Sequence, residues 1–220
     1  MIKPCLSFFL LIFTFVSGLS QSYKIGLLKY NGGGDWYSNP TSLDNLISFC
    51  NETIGTNINP SYDEVEIKSK ELFNYPWVHL TGHGNVVFSE KEADNLRNYL
   101  TAGGFLHISD NYGLDPFIRK EMKKVFPEKD FIELPIDHPI YTEIFDFSNG
   151  LPKIHEHDNK SPIGFGLILK GRLICFYDYE CDLGDGWEDQ DVHNDSEENR
   201  LKALKMGANI IAHSLLGEND

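Results

Sequence analysis

The sequence predicts an open α/β fold: a three-layer sandwich with a mostly parallel, doubly wound sheet between helices. Three observations predict it. Near-continuous apolar runs recur along the chain, as expected of strands covered on both faces. Amphipathic helical segments alternate with those runs. The stretches that follow the runs are rich in Gly, Asp, His and Trp, and ligands of open α/β sheets bind beyond the carboxyl ends of the strands. A late hairpin breaks the alternation and is expected as an antiparallel edge or insertion.

Residues 23–30 form the first run, followed by a loop containing Gly32, Gly33 and Gly34. A helix starts near Ser42, with Leu43, Leu46, Ile47 and Cys50 on one face. Residues 64–67 and 75–80 are the next strands, the second ending in Thr81, Gly82, His83 and Gly84. The following helix is the best delimited. Ser89 and Glu92 form a capping box, Ala93, Leu96 and Leu100 share a face, and Gly103 with Gly104 terminates it. Residues 105–108 then run into Ser109, Asp110 and Asn111. Asp115 and Pro116 open a helix carrying Ile118, Met122 and Val125, and residues 131–134 lead to Asp137 and His138. Residues 164–169 and 173–177 read as a hairpin turned at Lys170 and Gly171. A last helix, over about 196–216, places Leu201, Leu204, Ala208, Ile211 and Leu215 in register, and Gly217 ends it.

Residues 1–20 precede this pattern. Lys3, an apolar run of about twelve residues, and small Gly18 and Ser20 read as an export signal cut before Gln21. That run is too short to span ~30 Å of hydrocarbon. The expected product is one exported domain, residues 21–220, periplasmic or secreted, with no membrane insertion. Its formal charge moves from −14 to −15 on loss of Lys3, which disfavours nucleic acid and anionic lipid as partners. Cys50, Cys175 and Cys181 remain, and one disulfide, Cys175–Cys181, is compatible with an oxidising compartment.

The strand-end loops supply the candidate ligand-binding residues: Gly33, Asp35, Trp36, His83, Asp110, Asn111, Asp182 and Trp187. The glycine triplet matches neither G-x-G-x-x-G nor a P-loop, so no nucleotide cofactor is evident. His83 reads either as a cap on its strand or as a ligand. Asp110 with His83 or His138 is the candidate acid/base pair. His107 reads as structural. His155 and His157 offer two imidazoles at metal-ligand spacing, but no third ligand is near in sequence, so a solvated loop is expected there. Residues 178–198 are dense in carboxylates and lack Lys and Arg, giving a solvated loop or, more sharply, a divalent-cation site. An EF-hand fails because Leu183 stands where the glycine belongs. Trp187 is expected to pack over the crevice, so that His83, Asp110, His138 and Trp187 line one pocket.

Residues 75–84, 96–106, 134–141 and 182–188 resemble a bacterial family known as domain-of-unknown-function family 4159. The resemblance covers nearly the whole mature chain and is most specific in the second and third stretches. It implies kinship with the class I glutamine amidotransferase fold, a flavodoxin-like sandwich, and an exported or membrane-linked setting. It carries no established activity. Amidotransferases place a cysteine on the turn occupied here by Ser109, Asp110 and Asn111, so glutaminase chemistry is not expected. The resemblance also implies Asp at the position of Ser109 in related members. The expected function is a non-catalytic or degenerate exported domain binding a small polar ligand, such as a carbohydrate, or a protein partner. The alternative is an Asp/His-dependent, metal-assisted hydrolase.

Overall fold

Along each central strand the side chains alternate between two faces, and both sets are apolar, so the sheet requires cover on both sides. In β1 (Ile25–Lys29), Ile25 and Leu27 join one core cluster while Leu28 joins the other. In β3 (Trp77–Leu80), Trp77 faces one cluster and Val78 and Leu80 the other, and β4 (Phe105–Ser109) repeats this with Phe105 against Leu106 and Ile108. The computed structural model describes residues 22–110, 112–157 and 159–216. The export signal, Asn111 and Gly217 lie outside the described residues.

The seven strands are ordered β2-β1-β3-β4-β7-β6-β5, with β2 spanning Asp63–Glu66, β5 Ile132–Glu133, β6 Ile163–Leu169 and β7 Arg172–Tyr179. β2, β1, β3, β4 and β7 run parallel to one another; β6 runs antiparallel between β7 and β5. The expected mostly parallel α/β sheet with a late hairpin is therefore present. Lys170 (φ 52°) and Gly171 (φ 88°) make the hairpin turn, where two successive left-handed residues match the twist of the strands.

Helices α2 (Glu90–Thr101) and α3 (Asp115–Val125) bury Leu96, Leu100, Ile118 and Met122 on one face of the sheet. Helices α1 (Ser42–Thr53) and α6 (Glu197–Leu216) bury Leu46, Ile47, Met206 and Ile211 on the other. Short α4 (Leu183–Gly186) and α5 (Gln190–His193) follow β7. The capping box of α2 forms as read: Ser89 Oγ accepts the Glu92 N–H, and the Glu92 carboxylate accepts the Ser89 N–H at 2.8 Å.

One expectation is corrected and one open pairing is settled. Leu201 is not on the buried face of α6 but is 41% exposed. The Trp187 indole lies beneath α6 and donates to the Ala203 carbonyl at 2.8 Å, so the helix turns its small residues Ala203 and Gly207 inward to admit the ring. Cys175 and Cys181 are free thiols, because they are buried in the clusters on opposite faces of the sheet.

The junction between α2 and β4 sets the spacing of helix and sheet. Gly103 takes φ 118°, and a Cβ on Gly104 would lie 2.2 Å from the Tyr99 ring. Tyr99 is buried and its hydroxyl donates to the Phe105 carbonyl, so the ring has no room to retreat. Gly104→Val is expected to destabilise the protein by about 2 kcal/mol or more through overpacking. Urea unfolding measures it, and an unchanged midpoint would contradict this packing.

Candidate functional site at the carboxyl edge

The hairpin determines what gathers at the carboxyl edge of the parallel strands. Ile163, the first residue of β6, pairs with Tyr179, the last of β7. The segment entering β6, which carries His155 and His157, therefore meets the loop leaving β7, which carries Asp182, Asp185, His193 and Asp195. The Ile154 N–H donating to the Cys181 carbonyl at 2.9 Å continues this pairing.

His155 is the hub. Its Nδ1 lies 3.2 Å from Asp185 and 3.6 Å from Asp182, and its Nε2 lies 3.1 Å from Asp195. His157 Nε2 sits 2.5 Å from Asp182. His193 Nε2 stands 3.9 Å from Asp185, whose other contact is the Asn39 amide, donating at 2.5 Å. The donor atoms of His155, Asp185 and His193 all lie within 4.8 Å of one another. The Asp185 hydrogen bond, aided by Asp195 and Asp182 and opposed by burial, raises the His155 pKa to about 9. Burial would raise Asp185, but hydrogen bonds from His155 and Asn39 hold it below the ordinary carboxylate value. Asp182 is pushed up to about 7, first by burial and then by the Asp185 charge, and its Oδ1 is buried without a hydrogen-bond partner.

The other strand ends attach to this cluster. Thr81, after β3, donates to Asn39 Oδ1 at 3.1 Å. Two residues on, His83 is chelated by Asp35 from the β1 loop: its backbone N–H donates to Oδ1 at 2.5 Å and its Nδ1 lies 3.1 Å from Oδ2. Gly82 (φ 130°) permits this approach, since a Cβ there would lie 2.3 Å from the Tyr30 hydroxyl. The carboxylate orients the ring through Nδ1 and leaves Nε2 of a half-exposed ring outside that contact.

Beneath the edge lies a buried polar row. His79 and His107 are cross-strand partners with Nδ1 atoms 3.0 Å apart, so only one of the two atoms carries a proton. Trp77 stacks on both rings, and Trp187 tilts against both. His107 Nε2 lies 3.4 Å from Asp178 without hydrogen-bond alignment. Asp178 accepts the Ser109 hydroxyl proton at 3.1 Å, and Ser109 Oγ accepts the Gly184 N–H at 3.2 Å. Burial pushes His107 down to about 3 and holds His79 well below its ordinary value, with the neighbouring His107 adding to the effect. Burial raises Asp178.

The structure does not gather His83, Asp110, His138 and Trp187 around one cavity. His138 follows β5 at the far edge of the sheet, caps a short helical turn at Ile140, and lies 5.3 Å from the His213 ring. Trp187 is fully buried and is no lid. Asp110 pairs with neither histidine. Its Oδ1 accepts the Tyr112 and Leu114 N–H groups, and its Oδ2 accepts the Tyr177 hydroxyl proton. Asp35, His83 and Asp182 are at the edge as expected. Trp36 is partly buried with Lys29 over its ring, and Gly33 takes φ 90° in open space. Sequence reasoning misses Asn39 and does not single out Asp185, His193 and Asp195 within the acidic stretch; His155 and His157 carry metal-ligand spacing but are expected in a solvated loop. The solvated-loop reading of residues 178–198 is corrected for Asp178, Asp182, Asp185 and Glu188, which are buried, while Glu156, His157 and residues 189–194 are exposed. Cavities of about 550 Å³ at the amino edge, crossed by the Lys24–Asp63 pair, and about 350 Å³ beside α3 lack imidazole groups.

A family model described as Domain of unknown function (DUF4159) matches residues 24–215, and the chain belongs to that family. No curated protein matches the chain.

The neutral His79–His107 pair links stability to pH. Unfolded imidazoles take up protons near pH 6.5, whereas the folded pair resists protonation to far lower pH. This stabilisation is therefore present above pH 6.5 and is lost as pH falls. Relative to a His79→Phe/His107→Phe double variant, the wild-type unfolding free energy should drop by up to about 1.4 kcal/mol per pH unit for each imidazole. Urea unfolding between pH 5 and 8 measures the difference, and parallel curves would exclude a neutral pair.

Proposed function

We propose that this member of the family is an exported, degenerate relative of class I glutamine amidotransferases that holds a divalent cation at the carboxyl edge of its sheet and, through it, a small polar ligand. The carrying observation is the convergence of the His155, Asp185 and His193 donor atoms within 4.8 Å. Two imidazoles and a carboxylate suit zinc, manganese or iron, and at about 2.1 Å from each donor a cation draws them to within about 4.2 Å. Asp182 and Asp195 supply surrounding negative charge, and the buried, unpartnered Asp182 Oδ1 fits a site short of one cation. The amidotransferase ancestry rests on the family resemblance. Degeneracy is supported at the nucleophile turn, where Ser109 is fully buried and its hydroxyl is committed to Asp178 and Gly184. Export rests on the pattern of residues 1–20.

The second reading, metal-assisted hydrolysis, is favoured by the Asp35–His83 pair. It orients an exposed imidazole as a general base fed from another strand end of the same edge. His83→Ala would then abolish turnover while leaving metal content unchanged.

Purified mature protein is expected to carry or take up about one equivalent of a divalent transition metal, and Asp185→Asn to weaken that uptake by at least about tenfold. Elemental analysis and competition with a chromogenic chelator measure both. Equal uptake by wild type and Asp185→Asn would place the metal elsewhere and remove this reading.

A further inference from the structure

We infer that the ligand of this site is a neutral carbohydrate, with Tyr37 and Tyr112 supplying aromatic faces for its sugar rings; the inference rests on the cation site proposed above. Tyr37 is 63% exposed and Tyr112 50% exposed, so both present an aromatic face to solvent. Both belong to loops fastened to the His/Asp cluster. Tyr37 lies between Asp35, which chelates His83, and Asn39, which donates to Asp185. Tyr112 stacks on His157 with ring centroids 4.6 Å apart, and His157 in turn contacts Asp182.

Tyr112 is also held in place at a cost. It takes φ 90°, a conformation that side chains rarely adopt. The buried Asp110 carboxylate compensates by accepting the Tyr112 and Leu114 N–H groups, with the Tyr177 hydroxyl on its second oxygen. A buried charge thus maintains a strained backbone whose product is an exposed ring, and such strain persists where the surroundings over-determine it.

The polar groups around these rings select the ligand class. Asp35, Asp182, Asp185 and Asp195 bring carboxylate oxygens to the edge, each beside a histidine. The edge therefore offers acceptors to hydroxyl groups. It favours a neutral molecule with many hydroxyl donors, whose oxygens also suit a hard or borderline cation. A pyranose has both properties and a C–H face that packs on tyrosine. A nucleobase offers the stacking face but few donors.

The test uses metal-loaded mature protein and a panel of neutral oligosaccharides: glucans of both anomeric types, mannan, xylan, galactan and chitin fragments. Isothermal titration reads binding, and elemental analysis reads metal content. At least one oligosaccharide should bind, and Tyr37→Ala should weaken it about tenfold, as expected for loss of one aromatic contact. Tyr37→Phe should bind within about threefold of wild type. Tyr112→Gly, which removes the ring and relaxes the φ 90° strain, should weaken binding similarly with metal content and melting temperature preserved. Metal uptake without binding of any oligosaccharide overturns the inference and leaves the cation site standing. Binding indifferent to both tyrosine substitutions also overturns it. Tyrosine-dependent binding by metal-free protein upholds the platform and removes the cation from its mechanism.

Discussion

Antiparallel pairing of β6 with β7 is the constraint on which the rest of the site depends. It folds the chain back so that Ile163 lies opposite Tyr179, and two segments separated by about twenty residues meet at one edge of the sheet. A parallel connection would have required a crossover of a dozen residues or more and delivered the entering loop to the opposite edge. The hairpin brings His155 and His157 to Asp182 and Asp185 instead. Left-handed Glu180 (φ 58°) and Asp182 (φ 54°) turn the chain sharply after β7, and α4 begins at Leu183. Trp187 then seats the loop in the core: its indole donates to Ala203 and its carbonyl accepts the Asn45 amide at 2.9 Å. Glu188 accepts the Thr41 N–H at 2.8 Å and joins the loop to the start of α1.

A chain this acidic must solve the burial of its own carboxylates, and beside the β6–β7 hairpin it does so partly with imidazole. Buried charges persist only when paired and hydrogen-bonded. Asp182 and Asp185 find histidines, and Asp195 finds the other nitrogen of His155. Asp178 is satisfied differently: burial favours its neutral form, and Ser109 supplies a proton donor. The same economy explains the His79–His107 pair, which remains neutral within an aromatic stack. Lys153 and Lys160 pair with Glu180 at the same edge, so the aspartates of the cluster are left to the histidines.

The fold was legible because its signals are local. The Ser89–Glu92 capping box, the Gly103–Gly104 stop, the Pro116 helix start and the Lys170–Gly171 turn each declare a boundary in one or two residues. The α6 register failed at Leu201 because the helix packs on a tryptophan from another loop, and a large inserted ring selects alanine and glycine over leucine. The site was half legible. Asp35, His83 and Asp182 followed from the strand-end rule. The third ligand for His155 and His157 is not near in sequence; the hairpin supplies it, because the two arms of an antiparallel pair bring the residue before one strand beside the residue after the other. His138 was misplaced because β5 lies at the far edge, where its following loop turns toward α6.

The turn after β4 is the central one of the carboxyl edge, and its Ser109 and Asp110 side chains are buried. Here Ser109 faces inward beneath Gly184, and Asp110 bends back to hold Tyr112 and Leu114. Both side chains have become supports for neighbouring loops. Groups free to meet a ligand stand on either side, with Asp35 and His83 toward β1 and the histidine–carboxylate cluster toward β6. An acyl-transfer site needs a nucleophile and a base within hydrogen-bond reach of one reacting atom. With the serine buried and the dyad on a neighbouring strand end, this arrangement cannot supply the pair. What the edge carries instead is carboxylates and imidazoles drawn from several strand ends, flanked by exposed Tyr37 and Tyr112.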